Sequence, residues 1–174
     1  MRLSSSASLS LAIIFLFGLM SPAVTAQEQR DQSTPEERAE VVRFTEYLEQ
    51  NPFAEEADKL RKLIFAWLVD VPDIEVSPCQ EFLDPLMKAK RKYGSELMMQ
   101  LMFASAVFVI ENPDQANDES AQNLAGIQSV LATYTNILAV KPKAHIKYLD
   151  KLLKLQEAGE LSEYVKKETA KCHG

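Results

Sequence analysis

Cys79 and Cys172 are the only cysteines of this chain, and His145 and His173 its only histidines. A structural zinc site is built from spacings such as Cys-x-x-Cys or His-x-x-x-His, and no pair here has one. A hydrolytic triad needs a nucleophile, a base and an orienting group. The serines fall in helix caps, in polar loops or among apolar neighbours, and there is no Gly-x-Ser-x-Gly elbow. His145 follows Lys141-Pro142 and stands between Lys143 and Lys147, which reads as the exposed first turn of a helix. The expectation is no metal, no cofactor and no catalytic residue.

Met98, Met99 and Met102, with Met87 nearby, are soft thioethers of the kind that bind Cu(I). No histidine stands beside them, and methionine fills core gaps next to aromatics such as Phe103, so a core role is expected. The carboxylates Glu36-Glu37, Glu55-Glu56 and Asp114/Asp118/Glu119 fall near helix starts, where they complement the helix dipole. Lys88-Ala-Lys-Arg-Lys92 is a basic run at a helix end, suited to the dipole there or to an acidic partner. Phe65, Trp67, Tyr93, Tyr134 and Tyr148 form the candidate binding surface, with a core anchor as the other role open to Trp67.

The elements that must position these residues are punctuated by proline. Thr34-Pro35, Asn51-Pro52, Ser77-Pro78, Asp84-Pro85 and Asn112-Pro113 each place a capping side chain before a proline, which fits a first helical turn. Thr34 with Glu37, and Ser77 with Gln80, match the capping box. Lys141-Pro142 predicts another start, without a cap. Val41, Phe44 and Leu48 make one apolar stripe; Ala57, Leu60, Ile64 and Trp67 the next. Phe82 and Leu86 mark a weaker element restarted at Pro85, with Gly94 ending it and Ser95 capping its successor. Residues 96–110 are apolar nearly all round and predict a buried central helix. Leu124, Ile127, Leu131, Tyr134 and Leu138 follow at helical spacing; then Ile146, Leu149 and Leu153, stopped by Gly159; then Leu161, Tyr164 and Val165. Val71 to Val76 reads as a loop, and no hairpin signal occurs. The predicted fold is all-α: six or seven antiparallel helices in a bundle or helical-hairpin array around 96–110.

Arg2, the apolar run Leu9 to Leu19 and Val24-Thr25-Ala26 have the order of a secretory leader, with cleavage expected after Ala26. The run is too short to cross a hydrocarbon core, which takes roughly 20 residues, so no membrane anchor is expected after cleavage. The predicted division is a leader at 1–26, a disordered lead-in at 27–33 and one domain at 34–174. Losing Arg2 makes the remainder one charge more negative than the −6 of the whole chain, which argues against nucleic acid as a partner. Export to the periplasm or beyond favours a Cys79–Cys172 disulfide over free thiols or an interchain bridge. Closing a loop of about 90 residues would stabilise the fold by roughly 4–5 kcal/mol in the chain-entropy model.

Tyr47-Leu-Glu-Gln-Asn-Pro-Phe and Val109-Ile-Glu-Asn-Pro-Asp are alike, and Leu138-Ala-Val-Lys-Pro-Lys-Ala has the same rhythm. Helix, proline turn and helix resembles the end of a tetratricopeptide repeat, most closely over Thr133 to Leu149. The turns are spaced 61 and 29 residues apart rather than at a steady repeat, and the repeat's Trp-Leu-Gly and Tyr positions are missing. Through NPFAEEADKLRKLIFAWL, YGSELMMQ and ENPDQA the chain also resembles small exported helical proteins of bacteria without an assigned function. That resemblance implies a bacterial origin and a helical fold, and carries no activity.

Three functions are compatible with these residues. The first is an exported, non-enzymatic binding domain for a protein or peptide, using a concave face between stacked helices. The second is a small-molecule or lipid carrier with a cavity beside the methionines. The third is an enzyme whose site has no sequence signature. The oligomeric state is open.

Overall fold

The computed structural model describes residues 30–89 and 93–173. The predicted leader, residues 27–29 and the last three residues of the basic run lie outside the described residues. Within them the chain forms α1 (Pro35–Gln50), α2 (Ala57–Asp70), α3 (Gln80–Lys88), α4 (Gly94–Glu111), α5 (Glu119–Val140), α6 (Lys147–Glu157) and α7 (Leu161–Thr169). Short 3-10 turns occupy Pro113–Gln115 and Ala170–His173, and no strand occurs among the described residues. The fold is all-α, as the periodicity predicts.

The apolar helix 96–110 becomes α4, and it serves two cores. Leu97 and Leu101 pack with Phe82, Leu86, Ile127, Leu131, Leu149 and Val165. Phe103, Ala106 and Val109 pack with Val41, Leu48, Ile64 and Trp67 of α1 and α2. A helix between two cores needs apolar side chains on most of its circumference, which is the reason for its composition. It is long and apolar enough to cross a membrane, and here half of it is buried against other helices. Three of the methionines take the core role, Met98 packing on the first core and Met99 and Met102 on the second, whereas Met87 is exposed.

Neighbouring helices run antiparallel. Tyr47 of α1 meets Glu56 just before α2, while Arg30, ahead of α1, reaches Asp70 at the end of α2. On α4 and α5, Gln100 pairs with Ser129 and Ser105 with the Gln122 carbonyl. Gly126 lets these two helices approach closely. A Cβ there would lie 2.9 Å from the Leu101 carbonyl oxygen and 2.8 Å from Ser105 Oγ.

Proline marks helix boundaries less simply than its cap residues suggest. The Thr34–Glu37 capping box forms as expected: the Thr34 N–H donates to Glu37 at 2.8 Å and the Glu37 N–H to the Thr34 hydroxyl at 3.2 Å. At Asn51-Pro52 and Asn112-Pro113 the asparagine caps backwards. Asn51 and Asn112 have nearly identical φ, ψ of −128°, 62° and −128°, 63°, and each returns both its N–H and its side-chain amide to the carbonyl four residues earlier. Lys141 ends α5 at −126°, 74°. Helical geometry is disfavoured for the residue before a proline, and at these three like motifs the helix ends there. The following helices start later, at Ala57, Glu119 and Lys147.

Four further expectations change. Ser77 does not cap α3: Cys79 is the N-cap, with no side-chain cap bond, and its N–H goes to Asn123 Oδ1 at 3.1 Å. Pro85 lies inside α3 rather than restarting it. A proline in a helix interior costs ~3 kcal/mol, and burying Phe82 and Leu86 completely offsets it at about 1.5–3 kcal/mol each. Gly94 does not end a helix but opens α4 after Tyr93, because a Cβ at Gly94 would lie 2.1 Å from the Leu86 carbonyl oxygen. Residues 30–33, expected to be disordered, are tied down: Arg30 bonds Glu37 and Asp70, and Ser33 bonds Asp73 through both its N–H and its hydroxyl at 2.8 Å.

Gly159 terminates α6 as expected. Its φ is +74°, and the Glu160 N–H returns to the Leu155 carbonyl in a Schellman ending. Cys79 and Cys172 form a disulfide with Cα atoms 5.8 Å apart, joining the start of α3 to the last turn of the chain.

Candidate functional site

The turn between α1 and α2 presents aromatic surface. Phe53 is 40% exposed. Tyr93, at the start of α4, meets it edge to face with ring centroids 5.1 Å apart and an interplanar angle of 70°. The chain path to this contact is strained. Tyr93 has φ +69°, and it is the only non-glycine with positive φ among the described residues. The left-handed region is a genuine outlier for a bulky residue, and such strain gathers at functional positions.

Phe53 and Tyr93 border a depression of about 250 Å³ that also takes in Pro52, Asp58, Arg61 and Glu96. Arg61 is only 5% exposed. It donates from Nη2 to the Pro52 carbonyl at 2.7 Å and from Nη1 to Asp58 at 2.9 Å. A buried guanidinium needs such partners, and here it fastens the α1–α2 turn onto α2. This is also why Pro52 does not begin α2: its carbonyl is held from within that helix. Beside it, the Tyr47 hydroxyl donates to the Glu56 carboxylate, holding Glu56 below and Tyr47 above their ordinary pKa values.

A second depression, about 320 Å³, shares Pro52 and Phe53 and continues to Asn136, Ala139 and Val140. Val140 is 60% exposed. Lys141 Nζ stands 5.9 Å from the Phe53 ring centroid. Together these form an aromatic and aliphatic shelf with a buried cation beneath and carboxylates at its edge. Such a shelf can accept an apolar side chain and hydrogen-bond the groups around it.

The five aromatics singled out from sequence do not share one surface. Tyr134 is fully buried and Trp67 belongs to the second core. Both lie on apolar stripes, and burial of a large ring against neighbouring helices outweighs exposure of its polar tip. Tyr148 is partly buried against the first core, where burial pushes its hydroxyl pKa far up. Phe65 is 44% exposed on α2, one turn from the exposed Val69. Only Tyr93 reaches the shelf. Phe53 and Val140 escape sequence reasoning because each stands singly beside a turn, outside any periodic stripe. The signal for Phe53 is its place directly after Asn-Pro, where the chain leaves one helix before the next begins.

His145 does acquire partners. Its Nδ1 lies 3.0 Å from Asp150 Oδ1, which also accepts a 2.7 Å bond from the Tyr134 hydroxyl. The Tyr134 hydroxyl accepts the Ile146 N–H at 2.8 Å. Burial and the Asp150 bond push the Tyr134 pKa up to about 12. The hydroxyl therefore keeps its proton and serves as the missing cap of α6. His145 does not lie in a helical turn but just before the N-cap Ile146. No group of three or more His, Cys, Asp or Glu with the arrangement of a metal site occurs among the described residues.

Comparison of the chain with protein-family models, with curated proteins and with solved structures finds no match.

Proposed function

We propose that this chain is a non-enzymatic binding domain working outside the cytoplasm, and that the Phe53 shelf receives an apolar side chain from a protein or peptide partner. The carrying observation is the Phe53–Tyr93 pair: a large ring left 40% exposed, and a second ring brought to it by a backbone held at φ +69°. Aromatic anchors that a partner desolvates on docking are typical of binding hot spots. Export is supported by the leader-like run before Ala26 and by the paired cysteines, since disulfides persist in oxidising compartments. Bacterial origin, on the strength of the NPFAEEADKLRKLIFAWL, YGSELMMQ and ENPDQA segments, and kinship with helical-hairpin repeats, on the strength of the three Pro-turn motifs, belong to the same proposal.

Photo-crosslinking tests it. A benzoylphenylalanine placed at position 53 is compared with one at Lys62, on the exposed side of α2, in extract from the source organism. The reading expects one defined protein adduct at position 53, suppressed by Val140→Asp. Equal adducts at both positions, or none at 53, would reject it.

A further inference from the structure

A second surface lies along the seam of α1, α4 and α5. It is a groove of about 310 Å³. Ala104, Val107 and Phe108 of α4 line it together with Ala125 and Ala132 of α5, and the small residues are what leave it open. Its charged residues are Glu46, Glu49 and Glu111, and no basic residue lines it. Some acids elsewhere do have basic partners: Glu37 and Asp70 meet Arg30, Asp73 meets Arg38, and Glu168 meets Lys171. Arg43, one turn before Glu46, pairs with Glu40 and covers the Phe44 ring. None of the three groove carboxylates has a basic partner among the described residues.

The groove wall also holds polar groups that the fold does not fully use. Ser129 accepts from the Gln100 side chain at 2.8 Å and donates to the Glu49 carboxylate. The Thr45 hydroxyl, buried in the same wall, has no hydrogen-bond partner. An unpartnered buried hydroxyl is unfavourable, so this wall carries polar capacity that the fold leaves unused.

We propose that this groove docks a basic amphipathic segment of a partner protein, its apolar anchor between the alanines and its lysines or arginines against Glu46, Glu49 and Glu111. Charge selects the occupant. An apolar floor with an acidic rim suits an apolar side chain flanked by cations. A second copy of this acidic chain, with formal charge −6, would bring like charge to the rim. The surface stands on different residues from the Phe53 shelf, and either can hold without the other.

The test is fluorescence anisotropy of the purified, oxidised protein with three labelled 12-residue helical peptides: Leu/Lys amphipathic, Leu/Glu amphipathic, and Ser/Lys of equal charge without the apolar anchor. Only the Leu/Lys peptide should bind. Glu46→Gln with Glu111→Gln, two exposed positions that leave the fold intact, should weaken it roughly tenfold at low salt, and Ala125→Trp should block it. Amide shifts on titration should centre on Ala104, Val107, Ala125 and Ala132. Equal binding of the Ser/Lys peptide, shifts centred on Phe53 and Val140, or unchanged affinity in the double variant would each overturn the proposal. So would sedimentation showing a dimer that the double variant dissolves, since the occupant would then be a second copy.

Discussion

The Tyr134 hydroxyl and the Asp150 carboxylate are 16 residues apart and meet at 2.7 Å, with the Ile146 N–H closing the arrangement at 2.8 Å from the same hydroxyl. Helix α6 has no side-chain cap of its own, because its N-cap is Ile146. Tyr134, projecting from α5, accepts the N-cap's own N–H, the bond that the N3 carboxylate of a capping box would otherwise make. His145 adds a third contact to Asp150. A tyrosine, a carboxylate and a histidine in line look like a proton relay, but the tyrosine hydroxyl is held between the Asp150 carboxylate and the N–H at the start of α6.

Tyr134→Phe should therefore lower stability by about 1–3 kcal/mol while leaving the helical circular dichroism unchanged. Alkaline pH gives a second readout. Tyr134 stays neutral in the fold up to about pH 12, whereas an unfolded tyrosine ionises near 10. Its contribution is complete below pH 10 and is lost as pH rises towards 12. The variant should lose less stability than the parent over that interval in urea titrations. Parallel curves would show that another group controls the alkaline limb.

Asp73 contributes to the acid limb. Burial works against ionisation of Asp73, but the Ser33 N–H and hydroxyl and the Arg38 guanidinium prevail and hold its carboxyl below the ordinary value of 3.8. A depressed carboxylate contributes stability above its unfolded pKa and loses it as pH falls through the folded one. Asp73→Asn should cost about 1.5–3 kcal/mol at neutral pH. The gap to the parent should then narrow as pH falls below 4, because the parent loses at that point what the variant already lacks. A gap that is constant down to pH 2 would remove Asp73 from the account.

Much of the fold is legible in the sequence where burial is periodic. Ile127, Leu131 and Tyr134, or Val41 and Leu48, are called to the core by spacing alone and are found there. The disulfide is legible because only two cysteines exist. Boundaries were less so, since an Asn before a proline can cap forwards or backwards, and the choice depends on which carbonyl lies within reach. The candidate site was hardest to read. Phe53 is exposed because the α1–α2 turn is fastened from below by Arg61, and Tyr93 reaches it only through a left-handed backbone. Neither fact is a property of local sequence. Tyr134 and Trp67 mislead for the opposite reason: an aromatic on a stripe is placed by the stripe.

Close packing of α4 on α5 depends on position 126. Gly126→Ala should be destabilising by about 1–3 kcal/mol, although alanine favours a helix over glycine by ~1 kcal/mol. The sign is decided by the Leu101 carbonyl, 2.9 Å from the new methyl and fixed in a helix backbone. Removing the Ser105 hydroxyl as well should recover little, because the backbone contact remains. Chemical denaturation of both variants checks this, and a stabilised Gly126→Ala would mean that the helices part freely.

Tyr93 separates the site from the fold. Tyr93→Gly frees a residue at φ +69° from a strain of order 1–2 kcal/mol, and it also deletes a ring that packs partly on the first core. The two effects oppose each other, so stability should stay within about 1 kcal/mol of the parent. Binding should not be spared, because Phe53 loses its edge-to-face neighbour and one wall of the depression. The expected outcome is an unfolding midpoint close to the parent's together with a sharp loss of the adduct at position 53. Tyr93→Phe keeps the ring and should retain the adduct. If Tyr93→Gly unfolded the protein outright, the strained tyrosine would be a structural keystone and its conformation would owe nothing to binding. If it left both stability and adduct unchanged, the ring would be dispensable and the shelf would have to be drawn around Phe53 and Val140 alone.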